Sequence, residues 1–238
     1  MSASLSAAPI SLAYPDSVDQ PITRARRRTV PTWLRPAIAI PGAVLAMVAL
    51  LTAFAPWIAP YDPNALDMRN MLIGPSSEHW LGTDQLGRDV LSRLLYGGRS
   101  TLMIASLATI VTVTIGVTIG VISGYFGGKV DLAVAGILNV LLSLPSLLLT
   151  LAILGIMGAG TTSLLIALIG AGWTTHARLI RASVISLREQ LYVEAAVSIG
   201  AGSTRILSRH ILPNLITTVV VLATLDLGVL MLTVSALS

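Results

Sequence analysis

The chain has 238 residues, of which 54% are hydrophobic and only 11% are charged, and its mean hydropathy is +0.83. Soluble domains carry roughly 25% charged residues, so a chain this apolar needs an apolar solvent around it and is predicted to be an integral membrane protein. The absence of cysteine excludes disulfides, thiol catalysis and thiolate metal sites.

The amino-terminal part of the chain predicts a polar tail followed by a first membrane span. Residues 1–34 are rich in Ser, Ala and Pro and end in a basic cluster, so we expect a disordered cytoplasmic tail there. Residues 36–61 carry no charge, which is enough for one span of roughly 20 residues. This stretch is too long for a cleavable signal peptide, and its small-x-small candidate site is followed by Pro56, a poor cleavage context.

A polar segment separates this span from the second one. Residues 35–99 therefore comprise the first span and an extracytoplasmic loop, and residues 89–96 alternate at helical spacing near the end of that loop. The alternation predicts an amphipathic helix along the membrane surface, before an uncharged second span at 100–128. Three glycines recur on one face of that span and favour close packing against another helix: Gly116, Gly120 and Gly124.

The uncharged stretch between Asp131 and His176 must contain a turn. Its 44 residues would make a helix of about 66 Å, whereas the hydrocarbon core of a bilayer is roughly 30 Å thick. The only flexible sequence near its middle is GIMGAGTT at 155–162, so we predict a turn there. A third span then lies near 133–154, with a kink at Pro145.

Two further spans and the basic residues predict an orientation. The fourth span begins near Ser163 and continues as a helix into water, and the fifth runs from about 211 to 238. With the amino terminus in the cytoplasm, most of the 15 Lys and Arg residues fall on the inner side, as the positive-inside rule requires, and the basic pI needs no nucleic-acid partner. The inner residues are Arg24, Arg26, Arg27, Arg28, Arg35, Lys129, Arg178, Arg181, Arg188, Arg205 and Arg209, and the outer ones are Arg69, Arg88, Arg93 and Arg99.

The cytoplasmic loop at about 186–214 predicts two short helices joined at a glycine. One apolar stripe follows the i+4 spacing of a helix: Leu187, Leu191, Ala195 and Ile199. Glu194 lies on a neighbouring face, and Gly200 ends the helix because glycine adopts a left-handed turn at low cost. Ser203 is the predicted N-cap of the second helix, and Pro213 is predicted to bend that helix or to mark its start. A short exposed helix of this kind is a docking element.

This loop resembles the EAA loop of permease subunits of ATP-binding cassette importers. The resemblance rests on Glu194-Ala195-Ala196, then Gly200, then Leu212-Pro213. Four further motifs are similar to the second of the two paired permeases in the dipeptide, oligopeptide and nickel branch: Asp62-Pro63, HWLGTDQLGRD at 79–89, Gly97-Gly98-Arg99 and HILPN at 210–214. The resemblance covers residues 36–238 and implies an all-α polytopic bundle of the type I importer kind, with its permease core at 100–238.

The sequence departs from the family pattern at three places. His210 stands where the broad family has an aliphatic residue, and Val234 stands where the family tends to have an acid, so any role of that acid is in doubt here. Five spans are visible where the family has six, because the sequence stops at Ser238. Either the last span is missing from this sequence, or the chain is a shortened and inactive member.

The resemblance implies a transport subunit of the bacterial cytoplasmic membrane and not an enzyme. Its implied partners are a second homologous permease in a heterodimer, two cytoplasmic ATPase subunits or one fused pair, and an extracytoplasmic substrate-binding protein. This chain would bind no cofactor, since it has no Gly-x-x-x-x-Gly-Lys-Ser/Thr loop, and ATP and Mg would be bound by the ATPase subunits. The residues implied to couple it to an ATPase are Leu191, Glu194, Ala195, Ala196, Ile199, Gly200 and Ala201.

The predicted spans contain one acidic residue, Asp226, which marks a candidate substrate path at the interface with the second permease. A structural ion pair or a subunit contact is the alternative. The other candidates for this path are Asn139, Ser143, Thr150 and Thr224. No catalytic or metal site is predicted, because the three histidines fall in separate segments and no peptidase motif occurs.

The sequence leaves the cargo open. Dipeptides or oligopeptides are the main expectation from the resemblance, and a nickel chelate is the alternative. A channel that needs no ATPase is the hypothesis of a different class.

Overall fold

The computed structural model describes residues 36–237, which form helices and loops with no strand beyond an isolated bridge between Thr83 and Asp89. The expected disordered tail at 1–34 lies outside the described residues. The chain divides into two units, residues 1–45 and 46–238, and all the packing described below lies within the second. 

Nine α-helices and one π-helical segment follow one another in the described range. They are α1 (Pro36–Ala53), α2 (Ala55–Ile58), α3 (Val90–Phe126), α4 (Gly128–Leu142), α5 (Ser146–Met157), α6 (Thr161–Arg188), α7 (Leu191–Ser198), α8 (Ser203–Ile206), the π segment (Leu207–Ile211) and α9 (Leu212–Leu237). Three helices in this range are long and apolar enough to cross a membrane: α3, α6 and the helix from Ser203 to Leu237. The bent pair α4–α5 would be a fourth span. The all-α membrane fold is therefore confirmed.

The segment expected to lie along the membrane surface at 89–96 is not a separate helix. It forms the first turns of α3, which continues for 37 residues and would be about 55 Å long. Asp89 caps this helix by accepting a hydrogen bond from the backbone N–H of Ser92 at 2.8 Å. The glycine pair at 97–98 does not interrupt α3, because a glycine inside a helix lowers helix stability by only about 1 kcal/mol relative to alanine. Gly98 also leaves room for the side chain of Thr52. The expected division of the chain at 99/100 stays a prediction, although it falls inside this helix.

The loop before α3 is held by buried and half-buried carboxylates. His79 Nδ1 lies 3.0 Å from Asp89 Oδ1, and the rings of His79 and Tyr61 are in contact. Asp84 accepts hydrogen bonds from the Arg88 side chain at 2.8 Å and from backbone N–H groups, and it also pairs with Arg93. Desolvation alone would raise the pKa of Asp84, but the hydrogen bonds and charge of Arg88 outweigh it and hold that pKa well below its ordinary value.

The glycine stripe of α3 packs directly against α6, as predicted. A Cβ on Gly116 would collide with Cβ of His176, and one on Gly120 would lie 2.8 Å from the backbone oxygen of Ala177. Gly124 makes the same approach to Arg181. We call this contact the α3–α6 seam. Because its contacts advance along both helices together, α3 and α6 run in the same direction.

The third span is broken rather than kinked. The axes of α4 and α5 differ by 82°, and the break lies at residues 143–145. Pro145 has extended backbone (ψ 127°) and occupies the N-cap position of α5. The preceding helix, α4, ends at Leu142, as expected because proline disfavours helical geometry at the residue before it. The predicted turn at 155–162 is confirmed, since α5 ends at Met157 and α6 begins at Thr161. 

An ion pair joins the start of α4 to the far end of α6. The Arg181 guanidinium donates to both oxygens of Asp131, at 2.5 and 2.6 Å, and Ser123 of α3 donates to the same carboxylate at 2.6 Å. Arg188 adds a 3.0 Å hydrogen bond to the backbone oxygen of Tyr125. This network ties α3, α4 and α6 together beside the loop that carries α7.

Candidate functional site

The first candidate site is the short helix α7, which packs on the bundle by one face only. Val193 is 1% exposed and lies with Ala196 in a core cluster that includes Ile180 and Ile206. On the other face Leu191 is 82% exposed and Ile199 is 86% exposed. Leu191 is the first residue of α7 and Ile199 is its C-cap residue. Exposed aliphatic side chains at both ends of a helix whose opposite face is buried form a surface suited to binding another protein.

Gly200 ends α7 in the predicted left-handed conformation. Its φ is +80°, and no heavy atom lies within 4 Å of the position that a Cβ would occupy, so glycine is needed here for its backbone and not for space. The N–H of Ala201 donates to the oxygen of Ala196 at 3.0 Å, and that of Gly200 donates to Val197 at 2.9 Å. These two bonds form a Schellman motif, which satisfies carbonyls at the helix end.

The second helix of the loop begins differently from the prediction. Gly202, not Ser203, occupies the N-cap position, and Ser203 is the first residue of the helix. No side chain caps this helix with a hydrogen bond. Pro213 neither starts nor sharply bends the helix: α8, the π segment and α9 are continuous from Ser203 to Leu237. Proline has no N–H to donate, and the π segment immediately before it rearranges the hydrogen bonds of that turn.

A second candidate site is a pocket of about 320 Å³ between α5, α6 and α9. Its lining includes buried and exposed side chains. The buried ones are Thr150, Leu168, Ala171, His176 and Leu230, and the exposed ones include Leu225 and Val229. A pocket of this size and composition, mainly apolar with a few polar groups, is typical of a small-ligand site.

Two ionisable side chains meet at this pocket. His176 of α6 is 5% exposed, and its Nε2 lies 3.3 Å from Oδ2 of Asp226 on α9, while Thr112 of α3 places its hydroxyl 3.4 Å from the same oxygen. The histidine contact is close enough for an ion pair but is not aligned as a hydrogen bond, and both ring nitrogens of His176 lack a hydrogen-bond partner within the described residues.

Comparisons with known proteins agree with this architecture. Residues 116–238 match the family described as "Binding-protein-dependent transport system inner membrane component". The chain belongs to this family of importer permeases. It is 37% identical to the nickel transport system permease protein NikC of Escherichia coli (strain K12) over 82% of this chain and 70% of that protein.

Two further relatives of the permease differ in the cargo that their names state. This chain is 38% identical to the dipeptide transport system permease protein DppC of Alkalihalophilus pseudofirmus, over 84% of this chain and 66% of that protein. It is 36% identical to the glutathione transport system permease protein GsiD of Escherichia coli O6:K15:H31, over 99% of this chain and 77% of that protein. These relatives are permease subunits of transporters, and so the permease is a multi-pass membrane protein.

The structure divides the residues expected to couple the permease to an ATPase. Gly200 and four side chains on and beside α7 are exposed: Leu191, Glu194, Ala195 and Ile199. Ala201 is half-buried. Ala196 differs, because it is 8% exposed and packs into the core cluster of the permease itself. It therefore cannot form part of an outer contact surface, a point that i+4 spacing alone left open.

The expected substrate-path residues are also divided. Thr150 and Asp226 line the pocket, but Asn139 accepts a hydrogen bond from Arg178 at 2.9 Å outside it. Ser143 and Thr224 donate to backbone oxygens of their own turns, and neither lines the pocket. The sequence reasoning missed His176 as a pocket residue. The available signal was its place at the end of the long uncharged stretch that follows Asp131.

Proposed function

We propose that this permease pairs with a second homologous permease to form the path for peptide import across the bacterial cytoplasmic membrane. ATP hydrolysis in two partner ATPase subunits, or one fused pair, would drive transport, and an extracytoplasmic binding protein would deliver the cargo. The names of two of the three relatives described above, for dipeptides and glutathione, support a peptide cargo. The third name, for nickel, supplies the alternative that the cargo test must exclude.

The observation that carries this proposal is the exposed face of α7. Leu191 and Ile199 stand out from a helix whose other face is buried, and the Schellman turn at Gly200 holds the chain leaving it. Burying these two side chains against a partner would remove them from water, which favours association by roughly 1.5–3 kcal/mol for each side chain. Glu194, also exposed, supplies a charge beside them. We propose this surface as the contact with one ATPase.

The orientation of the chain follows from the same proposal. Arg188 lies at the carboxyl-terminal end of α6. An ATPase reaches α7 only if this end of α6 and the adjacent end of α3 face the cytoplasm. The basic residues favour this, since Arg178, Arg181, Arg188, Arg205 and Arg209 all lie on α6, α8 and the π segment around this loop. The amino terminus would then lie in the cytoplasm as well.

The decisive experiment removes the apolar contact without disturbing the bundle. The double variant Leu191→Asp/Ile199→Asp is expected to fold normally but to lose the ATPase subunits in co-purification and to lose uptake. Leu66→Asp is the matched control: Leu66 is 62% exposed but lies in the loop before α3, on the opposite side in the proposed orientation. If the double variant retains both the ATPase and uptake, α7 is not the coupling surface.

The cargo is tested separately by uptake in proteoliposomes. Labelled dialanine should enter in an ATP-dependent manner when the binding protein is present, and a labelled nickel chelate should not. Nickel uptake without dipeptide uptake would replace the peptide cargo by the nickel alternative. Uptake of either solute without any ATPase subunit would indicate the channel hypothesis instead.

A further inference from the structure

The pocket between α5, α6 and α9 holds a carboxylate whose charge is only partly accounted for. Asp226 lies in α9, and its side chain is 17% exposed. Among the described residues no Lys or Arg forms an ion pair with it; its polar contacts are the hydroxyl of Thr112 and the ring of His176. A carboxylate at membrane depth is costly unless a cation or a polar pathway faces it.

His176 contacts only one oxygen of the Asp226 carboxylate. Its Nε2 lies 3.3 Å from one oxygen of Asp226 but off the direction of a hydrogen bond, and its Nδ1 has no partner in the described part of the chain. The Thr112 hydroxyl has a single proton to donate, and two backbone oxygens of α3 lie closer to it, at 2.8 and 3.1 Å, than the Asp226 oxygen at 3.4 Å. Both neighbours lie against the same oxygen, Oδ2, and no residue in the described part of the chain forms an ion pair or side-chain hydrogen bond with Oδ1.

The remaining pocket lining suits a small group with one positive charge. The volume of about 320 Å³ accepts part of a dipeptide-sized molecule. Four hydroxyl side chains also line the pocket, and most of the remaining lining is aliphatic: Ser146, Thr150, Thr175 and Thr233. Thr233 lies two helical turns beyond Asp226, so both side chains are on one face of α9. A low-polarity pocket strengthens attraction between a carboxylate and a cation, because the effective dielectric constant is lower than in water.

We propose that this pocket is a cation-recognition site in which Asp226 binds a protonated amine of the cargo, such as the terminal ammonium of a peptide. This inference rests on the proposed peptide transport and adds to it the chemical group that the spans recognise. A nickel ion is the other source of positive charge, but only one imidazole and one carboxylate converge here. Within residues 36–237 no cluster of three His, Asp, Glu or Cys residues could hold a metal ion.

Charge-selective labelling of a single thiol tests the site directly. The sequence has no cysteine, so Thr233→Cys places one reporter thiol in the pocket without background. Its modification is measured with a cationic reagent, trimethylammonioethyl methanethiosulfonate, and an anionic one, sulfonatoethyl methanethiosulfonate. The ratio of the two rates cancels changes in thiol ionisation. We expect Asp226→Asn to lower the cation-to-anion ratio about fivefold or more, since the two reagents differ by two charges.

A second substitution supplies the matched control. Thr224→Val removes a polar group two residues from Asp226 that does not line the pocket, so the ratio should stay at the value of the Thr233→Cys parent. If Asp226→Asn leaves the ratio unchanged, or the thiol reacts with neither reagent, the proposal is wrong. If the thiol reacts in the isolated chain but not in the assembled importer, another subunit fills the pocket and the proposal is equally wrong.

Protection by ligands identifies the group that binds. Dialanine should slow modification by the cationic reagent, and N-acetyl-dialanine, which lacks the charged amine, should not. Equal protection by both, or protection by nickel chloride alone, would overturn the assignment to an amine. The labelling ratio needs no ATPase, so a failure of the α7 contact and a failure of this pocket give separate results.

Discussion

The α3–α6 seam and the α7 turn both depend on glycine, but for opposite physical reasons. In the seam the backbone angles are ordinary helix and the space is absent: a side chain on Gly120 would lie within 2.9 Å of Ile180 and of the Arg181 backbone nitrogen. At Gly200 the space is open, and the backbone angle, φ +80°, is what other residues avoid.

The difference separates a rigid region from an adjustable one. The seam buries helix backbones against each other and cannot change without moving whole helices. The α7 surface is held by a few buried side chains and one turn, so it can transmit movement while the seam keeps the bundle intact. Substitutions in the seam should therefore impair folding, whereas substitutions at α7 should impair coupling to the partner.

The largest effect is expected from Gly120→Ala. One methyl group must push α3 and α6 apart, which should cost about 3 kcal/mol and lower the yield of folded protein in detergent. Gly136→Ala is the control, because Gly136 is also helical but has no atom within 4 Å of its Cβ position. It should be neutral or stabilise the protein by up to about 1 kcal/mol. Equal melting temperatures of the two variants would refute the packing argument.

The second effect concerns the ion pair at the edge of the seam. Asp131→Asn removes the charge that Arg181 and Ser123 contact, and should lower the free energy of unfolding by roughly 1–3 kcal/mol. A double-mutant cycle with Arg181→Gln, read by thermal unfolding, measures the interaction itself. Additive effects of the two substitutions would show that the pair does not join α4 to α6.

A smaller effect is expected at the turn after α7. Gly200→Ala forces a side chain into the left-handed region and should cost roughly 1 kcal/mol, with a larger loss of uptake per ATP hydrolysed than of stability. Gly202→Ala is the neighbouring control, because Gly202 has φ −68° and open space around it. Should the two variants transport equally well, the conformation of Gly200 is not what positions α7.

The smallest effect is a pH dependence of the loop before α3. The pKa of Asp84 is lowered in the folded protein, so its contribution to stability is present above the ordinary carboxyl pKa of about 3.9 and is lost as the pH falls below that value. The loop before α3 should lose protection from hydrogen exchange as the pH falls from 5 to 3. Asp84→Asn should make this loss of protection smaller. An unchanged pH profile in the variant would contradict the role of Asp84.

Local sequence was sufficient for the features that depend on neighbouring residues. The glycine stripe predicted close packing of α3 against another helix, and Gly200 predicted the end of α7. Pro145 predicted a kink in the third span, at the place where the structure has a break. Each of these follows from the sterics of one or a few residues, which tertiary packing did not override. The predicted apolar stripe is exposed at Leu191, Ala195 and Ile199, whereas Leu187 packs against the core cluster.

Only the tertiary structure decided which faces of these elements are covered and which distant residues meet. Ala196 is buried because α7 lies on the cluster around Ile180, and α3 continues through residues 89–99 because its cap lies at Asp89. His176 and Asp226 are 50 positions apart in sequence and meet because α6 and α9 both pack against α3. The sequence by itself thus determined a helical membrane protein with a glycine turn, since hydropathy and backbone sterics act locally, and its resemblance to the EAA loop indicated a permease. The pocket needed the fold, since contact across helices depends on how they pack.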